Sequence, residues 1–440
     1  MIAPGLGLVA GGVALAVWLV LVFARDGFWL TAERDTQRLP PEPAVWPAVT
    51  AVVPARDEAD VIARSIGSLI AQDYPGDFRV ILVDDNSSDG TGEIAQSIIS
   101  SSPSPSGEGT GVGAVSLTGS AFEATPHPNP ASGRSGSQPD LNRAGHGLPD
   151  APEGEGLRNS HRLTILSGQP LAPGWTGKLW AVSQGIAAAG DTPDYLWLTD
   201  ADIAHAPDTL RTLVTRAVGE QRVLVSLMAR LRCESLAERA LIPAFVWFFQ
   251  MLYPFGAVNK PTGVGAAAGG CMLANRTALE RAGGIAAVRG ALIDDCAFGA
   301  LMKRQGPVWL GLTDRSVSIR VYDTWASVAA MISRSAYAQL NYSPVLLAGT
   351  LFGLGLIYLG PVLLTLFGQG YAQALGFGAW ALMAIAFQPM LRFYRRSPLW
   401  GVALPGIAIF YAGCTFASAW AHWRGRGGMW KGRAQAAIGA

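Results

Sequence analysis

Apolar positions fall into distinct regimes along the chain. Long unbroken apolar runs occupy 5–24, 344–367, 372–391 and 399–421. Each is near the ~20 residues that a helix needs to cross a bilayer. Between them, short apolar runs alternate with amphipathic ones. Val49-Thr50-Ala51-Val52-Val53 reads as a buried strand that ends at Pro54. From Glu58 to Gln72, the side chains Val61, Ile62, Ile66, Leu69 and Ile70 recur at helical spacing. Arg79-Val80-Ile81-Leu82-Val83 is a second strand, Asn86-Ser87-Ser88-Asp89-Gly90 a turn, and 91–99 a helix. Strands at 163–166, 194–199 and 223–228 then alternate with helices at 177–189 and 207–218. Such alternation predicts an α/β fold with a Rossmann-like, mostly parallel sheet.

Two stretches break the rhythm. Residues 100–160 are rich in Ser, Pro, Gly and Asn, with few residues to build a core. That composition predicts disorder. As a helix-to-strand connection, this insert is expected at the sheet edge remote from the strands' carboxyl ends. Residues 240–258 are uncharged, rich in Phe and Trp, and interrupted by Pro243 and Pro254. A single crossing there would put acidic clusters on opposite sides of a membrane. An interfacial helix docked on lipid and a buried helix are the two remaining readings.

Composition sharpens the membrane reading. Charged residues make up 15% of the 440, below the ~25% of soluble domains, and the mean hydropathy is +0.27. A net charge of +1 gives no general attraction for nucleic acid. No basic stretch or clear small-residue cleavage site accompanies 5–24, which favours a retained helix over a signal peptide. Arg25, Arg34 and Arg38 follow that helix and place the middle segment in the cytoplasm, at the inner membrane. Arg392, Arg395 and Arg396 fit a cytoplasmic loop. Four full spans would put Arg424, Arg426, Lys431 and Arg433 outside, against the same rule, so one C-terminal run is re-entrant or interfacial on this reading. The expected layout is a helix at 1–24, a connector at 25–47, an α/β domain at 48–340, up to three helices in 341–422 and a basic tail at 423–440. Cys233, Cys271, Cys296 and Cys414 are scattered, so neither a zinc site nor a disulfide framework is expected. His205 reads as structural.

Three acidic clusters carry the candidate chemistry: Asp84-Asp85, Asp200-Ala201-Asp202 and Asp294-Asp295. The first two follow strands directly, and ligands bind at the carboxyl ends of parallel strands. Asp200 and Asp202 can hold one divalent cation, Mg²⁺ or Mn²⁺, leaving coordination positions for a diphosphate. A later carboxylate can act as general base. That combination suits sugar transfer from a nucleotide-sugar. Gly177-Lys178 opens a helix whose amides and lysine can meet a diphosphate. Each motif also has a plainer reading: an Asx-turn at Asp84-Asp85, an exposed lysine at Lys178, a solvated turn at Asp200-Asp202, a helix cap at Asp294-Asp295. The glycine-rich run 263–270 fits close approach to a sugar as well as it fits tight packing.

Val53-Pro54-Ala55-Arg56-Asp57-Glu58, Val83-Asp84-Asp85, Gly177-Lys178, Asp200-Ala201-Asp202 and Asp294-Asp295 stand in the order found in family 2 glycosyltransferases of the GT-A fold, which the chain resembles over 48–340 minus the insert. The C-terminal helices and Trp430-Lys431-Gly432-Arg433 look most like the hopene-associated branch. The resemblance implies that Pro54, Arg56 and Glu58 lie beside the nucleotide and that Asp85, supported by Asp84, accepts a hydrogen bond from uracil. It makes Asp202 the more direct metal ligand and Asp295 the base, oriented by Asp294. It implies a nucleotide-sugar donor, a UDP-sugar first, a lipid acceptor and inversion at the anomeric carbon. Processive members carry Gln-x-x-Arg-Trp where this chain reads Gln339-Leu340-Asn341-Tyr342-Ser343, which favours a single transfer; Arg334 on the same helix is a substitute phosphate contact. Polyprenyl-phosphate or ceramide-type transfer is the alternative chemistry. A non-catalytic nucleotide-binding membrane protein is the alternative class.

Overall fold

The computed structural model describes residues 4–100, 162–425, 429–430 and 433–434. The insert at 100–160, but for its first residue, and most of the basic tail lie outside the described residues. An eight-stranded sheet forms the centre. Its strands are β1 (Val49–Ala55), β2 (Phe78–Asp84), β3 (Leu163–Ser167), β4 (Tyr195–Leu198), β5 (Ile203–His205), β6 (Leu224–Arg230), β7 (Met272–Asn275) and β8 (Val308–Ser318). Their spatial order is β3-β2-β1-β4-β7-β6-β8-β5. The helices are α1 (Pro4–Ala24), α2 (Ile62–Ile70), α3 (Thr91–Ser100), α4 (Gly177–Ala188), α5 (Thr209–Gly219), α6 (Leu236–Leu252), α7 (Phe255–Asn259), α8 (Arg276–Arg281), α9 (Asp294–Lys303), α10 (Trp325–Ala336), α11 (Pro344–Leu354), α12 (Gly360–Phe367), α13 (Gly370–Ala386), α14 (Gln388–Phe393) and α15 (Trp400–Trp423).

Strand side chains alternate between faces. Ala51, Val53, Val80 and Leu82 pack with Ile62, Ile66 and Leu69 of α2 and with Leu210, Leu213 and Val214 of α5. Val52, Ile81 and Val83 face the other way, onto Leu179 and Val182 of α4. α4 comes close because Gly185 has no side chain; a Cβ there would stand 2.4 Å from Val52.

The α/β expectation holds, and the sheet is mostly parallel, four of its seven pairings, but mixed. β1, β2, β3 and β4 pair in parallel, as do β6 and β8. β7 runs antiparallel between β4 and β6, and β5 antiparallel on β8. β5 and β7 have three and four residues. The turn 199–202 that leads from β4 to β5 holds no helix, whereas α6 and α7 lie between β6 and β7. β1 also continues through Pro54 to Ala55. Val52 is the last β1 residue paired with β4, and its carbonyl accepts Thr199 N. Pro54, two residues on, points its donor-less nitrogen the same way, where no partner strand is left to miss it.

Four helices are long and apolar enough to cross a membrane: Gly5–Ala24, Pro344–Phe367, Gly370–Phe393 and Trp400–Trp423. Leu6, Val9, Phe23, Phe352, Phe367 and Phe377 on them are 62–77% exposed, an apolar surface unsuited to water. The stretch 240–258 forms most of α6 plus α7. Ala240, Leu241, Ile242, Ala244, Val246 and Trp247 of α6 are at most 3% exposed. Trp247 packs against Trp18, Phe28 and Phe387, so one continuous apolar core joins the sheet to the apolar helices. Trp18 also donates from Nε1 to Ile357 O at 2.9 Å. In an α-helix that carbonyl would be bonded by residue 361, which is a proline without an N–H. The turn between, Gly355–Leu359, is a π-helix.

Candidate active site

Loops after β1, β2 and β4 meet at the carboxyl edge of the sheet. Residues 57–59 do not begin α2, as the helical spacing from Glu58 had predicted. Their amides are taken by side chains of the 86–91 turn: Asp57 N donates to Ser87 Oγ (3.0 Å), Glu58 N to Thr91 Oγ1 (2.8 Å) and Ala59 N to Asp89 Oδ2 (3.0 Å). Ser88 N returns a bond to Asp57 Oδ1 (2.8 Å). Asp57 and Asn86 sit at φ of +49° and +55°, a region that Asp and Asn tolerate better than most residues. Asp84 accepts from Ser87 N (3.1 Å). Asp85 is fully buried, and Arg56 Nη1 lies over it, donating to its carbonyl at 2.5 Å and standing 3.6 Å from Oδ2. Pro54, Arg56, Glu58, Asp84 and Asp85 are thus brought to one corner.

Next to that corner, each carboxylate of Asp200 and Asp202 meets a cation of the chain. Lys178, in the first turn of α4, stands 2.8 Å from Asp200 Oδ1 and 3.0 Å from Asp294 Oδ2. Arg320, just past β8, places Nε 3.0 Å from Asp202 Oδ2 and Nη2 2.5 Å from Glu58 Oε2. Burial pushes the Asp200 carboxyl up, but Lys178, with Arg334 and Arg320, holds it below its ordinary value. Burial also opposes the charge on Lys178; Asp200, Asp294 and Asp295 outweigh it and hold the ammonium above its usual range.

Asp295 is held differently. Its oxygens accept two backbone amides, Gly269 N at 3.1 Å and Cys296 N at 2.7 Å, and the Cys296 thiol also meets this carboxyl. Burial, and after it Asp294, pushes this carboxyl up to about 6. The glycine-rich run serves this arrangement by packing. A Cβ on Gly265 would stand 2.5 Å from Ala300 of α9, and one on Gly263 would overlap Ala257.

The sequence model of glycosyl transferase family 21 matches residues 161–434, more than half of the chain. The chain belongs to that family. The model of glycosyl transferase family 2 matches 50–107, the stretch that holds the first acidic cluster. The protein is a glycosyltransferase. No curated protein matches it. Among solved structures, the mannosyltransferase PcManGT from Pyrobaculum calidifontis, in complex with GDP-Man and Mn²⁺, is 17% identical, covering 95% of this chain and 99% of its own, with a TM-score of 0.49. Glucosyl-3-phosphoglycerate synthase from Mycobacterium tuberculosis, in complex with Mn²⁺, UDP-Glc and glycerol 3-phosphate, is 18% identical over 67% of this chain and 79% of its own, with a TM-score of 0.35.

The donor set of this family 21 glycosyltransferase fits a divalent metal. Asp200 and Asp202 offer hard oxygens, with side chains 32% and 15% exposed, and already gather cations in Lys178 and Arg320. Among the described residues, no three His, Cys, Asp or Glu side chains cluster as a complete metal cage. Mg²⁺ commonly binds with one or two carboxylates and completes its shell from substrate phosphates and water.

Arg320 is the site residue that the sequence reading missed. It belongs to no motif and reaches Asp202 only because β8 pairs beside β6 and β5. His205 is structural, as expected: it sits between Thr199 Oγ1 and Ser316 Oγ, each 2.9 Å away, and burial pushes it down to about 3. All four cysteines are free thiols.

Proposed function

We propose that this family 21 glycosyltransferase moves one sugar from a nucleoside-diphosphate sugar, a UDP-sugar first, to the hydroxyl of a membrane lipid, a hopanoid or related polyprenoid. The observation that carries the proposal is the convergence of Lys178, Asp200 and Asp294 beside the 54–58 and 84–91 loops, with Asp295 one residue further on. Pro54, Arg56, Glu58, Asp84 and Asp85 hold the nucleoside. Lys178 presents its ammonium to the diphosphate. A divalent metal on Asp200 and Asp202 would supply positive charge for the leaving nucleoside diphosphate. Asp294, paired with Lys178, orients its neighbour, and Asp295 takes the proton of the acceptor hydroxyl. That oxygen forms a bond to the anomeric carbon from the side opposite the diphosphate, and the carbon–oxygen bond to the diphosphate breaks. The configuration therefore inverts.

The four apolar helices support a multi-pass anchor, and Arg25, Arg34 and Arg38 support a catalytic domain on the cytoplasmic side of the inner membrane. The missing Arg and Trp after Gln339 support one transfer rather than a polymer. The test is incubation of the purified chain in detergent with labelled UDP-sugars, Mn²⁺ and a membrane lipid extract, followed by mass spectrometry. The expected product is a lipid heavier by one sugar. A ladder of products, or sugar released only to water, overturns the proposal.

A further inference from the structure

Arginines from three distant segments meet beside the carboxyl end of β6, on the buried rings of Phe393 and Tyr394. Arg34, from the connector after the first helix, stands over the Phe393 ring at 5.1 Å, and Arg230, the last residue of β6, at 5.6 Å. Arg230 is also 5.6 Å from the Tyr394 ring. Arg34 is braced by its own turn, Nε donating to Thr31 O at 2.9 Å and Nη2 to Thr31 Oγ1 at 3.0 Å. Arg396 donates from Nε to Tyr394 O at 2.9 Å, and its charge reaches the Cys233 thiol together with those of Arg230 and Arg239. Arg392 and Arg395 of the same turn are exposed.

That turn is built at a cost. α14 closes with Arg396 N donating to Leu391 O at 2.8 Å and Arg395 N to Arg392 O at 3.0 Å. Such a closure puts one residue in left-handed backbone, a place usually taken by glycine. Here the residue is Arg395, at φ +55°. Acids do not neutralise the corner. Asp314 pairs with Arg230, and Glu234 and Glu238 pair with Arg232. The described ion pairs leave Arg34, Arg392, Arg395 and Arg396 without a carboxylate.

Arginines that only orient a membrane protein need to sit in a loop. They need not be gathered from positions 34, 230 and 396 onto one pair of rings. The guanidinium fork fits phosphate oxygens. Beside it the chain exposes Leu399 and Val402, 76% and 51%. A free phosphate leaves that apolar rim in water, whereas a phosphate that carries acyl chains covers it.

We infer that this corner binds an anionic phospholipid, its phosphate among Arg34, Arg230 and Arg396 and its acyl chains over Leu399 and Val402. The inference goes beyond sugar transfer and rests on the membrane reading above. A lipid held there touches the connector, β6 and the turn between two apolar helices at once, so it fixes the catalytic sheet against the bilayer.

The test is native mass spectrometry of the full chain released from detergent, titrated with dioleoyl phosphatidylglycerol and with dioleoyl phosphatidylcholine. Phosphatidylglycerol is expected to be retained ~tenfold or more over phosphatidylcholine, the scale of two arginines at an anionic surface. Arg395→Gln with Arg396→Gln should remove that preference, Arg34→Gln alone should lower it severalfold, and Arg64→Gln, on the remote helix α2, should leave it unchanged. Melting curves check folding; Arg392→Gln with Arg395→Gln, both exposed, serves if a variant that loses a contact to the rings does not fold. Equal retention of the two lipids overturns the charge assignment. A preference that survives the turn variants overturns the place. A loss in the turn variants with none in Arg34→Gln reduces the corner to loop charge and overturns the assembled site. Displacement of phosphatidylglycerol by millimolar inorganic phosphate makes it a phosphate site and overturns the lipid. If the chain needs detergent yet shows no lipid preference, the site falls and the membrane reading stands. If it stays monodisperse without detergent and retains neither lipid, the membrane reading falls and the site falls with it.

Discussion

Asp294 shares Lys178 with Asp200 in this glycosyltransferase, but Asp295 beside it is held in another way than Asp200 and Asp202. Asp200 and Asp202 each face a cationic side chain, Lys178 or Arg320. Asp295 has two backbone amides and a carboxylate neighbour. The cations hold the Asp200 carboxyl below its ordinary value against the effect of burial, whereas burial pushes Asp295 up to about 6. The proposed metal ligands and the proposed base are thus the same residue type in different surroundings.

The strongest way to break this contrast is at the proposed metal pair. Asp202→Ala is expected to reduce sugar transfer to background at any Mn²⁺ concentration, measured with purified protein. Wild-type turnover in the variant without added divalent ion would remove the metal role. Next comes the proposed base. Asp295→Asn should lower kcat by ~100-fold or more, the scale of losing a positioned base, while calorimetry still shows nucleoside-diphosphate binding. A loss confined to Asp294→Asn would reverse the two roles.

The pH profile sharpens the same contrast. A base raised to about 6 must be deprotonated to work, so kcat should fall about tenfold per pH unit below 6 and level off above it. Stability runs the other way. The folded carboxyl holds its proton more tightly than the unfolded one, so stability tied to Asp295 is full below the unfolded value near 4 and is lost as pH rises through about 6. Asp295→Asn should therefore melt no lower than wild type at pH 8; a clear drop would mean that the charge is structurally needed. The smallest effect is expected at Arg320. Arg320→Gln loosens Asp202 and Glu58 together and should raise the donor KM a fewfold, the scale of about 1 kcal/mol for a partly exposed ion pair. An unchanged KM would leave Arg320 with no role in the site.

The part of the site legible in the sequence is the part made by local order. Asp84-Asp85 and Asp200-Ala201-Asp202 follow strands whose apolar runs mark their ends, so those carboxylates could be placed at the sheet edge without coordinates. Arg320 could not. Arg320 acquires its partners through the pairing of β8 across the sheet. β7 escaped notice because four residues after a glycine run carry too little periodicity to read as a strand, and with it went the mixed character of the sheet.

The bond from Trp18 to the carbonyl that Pro361 leaves unserved joins residues 339 positions apart. At roughly 5–20 residues per second, a ribosome needs about 20–70 s to travel between them. The first helix to be made must therefore wait, its indole without this partner, until nearly the whole chain has emerged. Only then can the apolar helices close on one another, so a chain interrupted before residue 357 carries a complete set of acidic clusters on a scaffold still missing its last clasp.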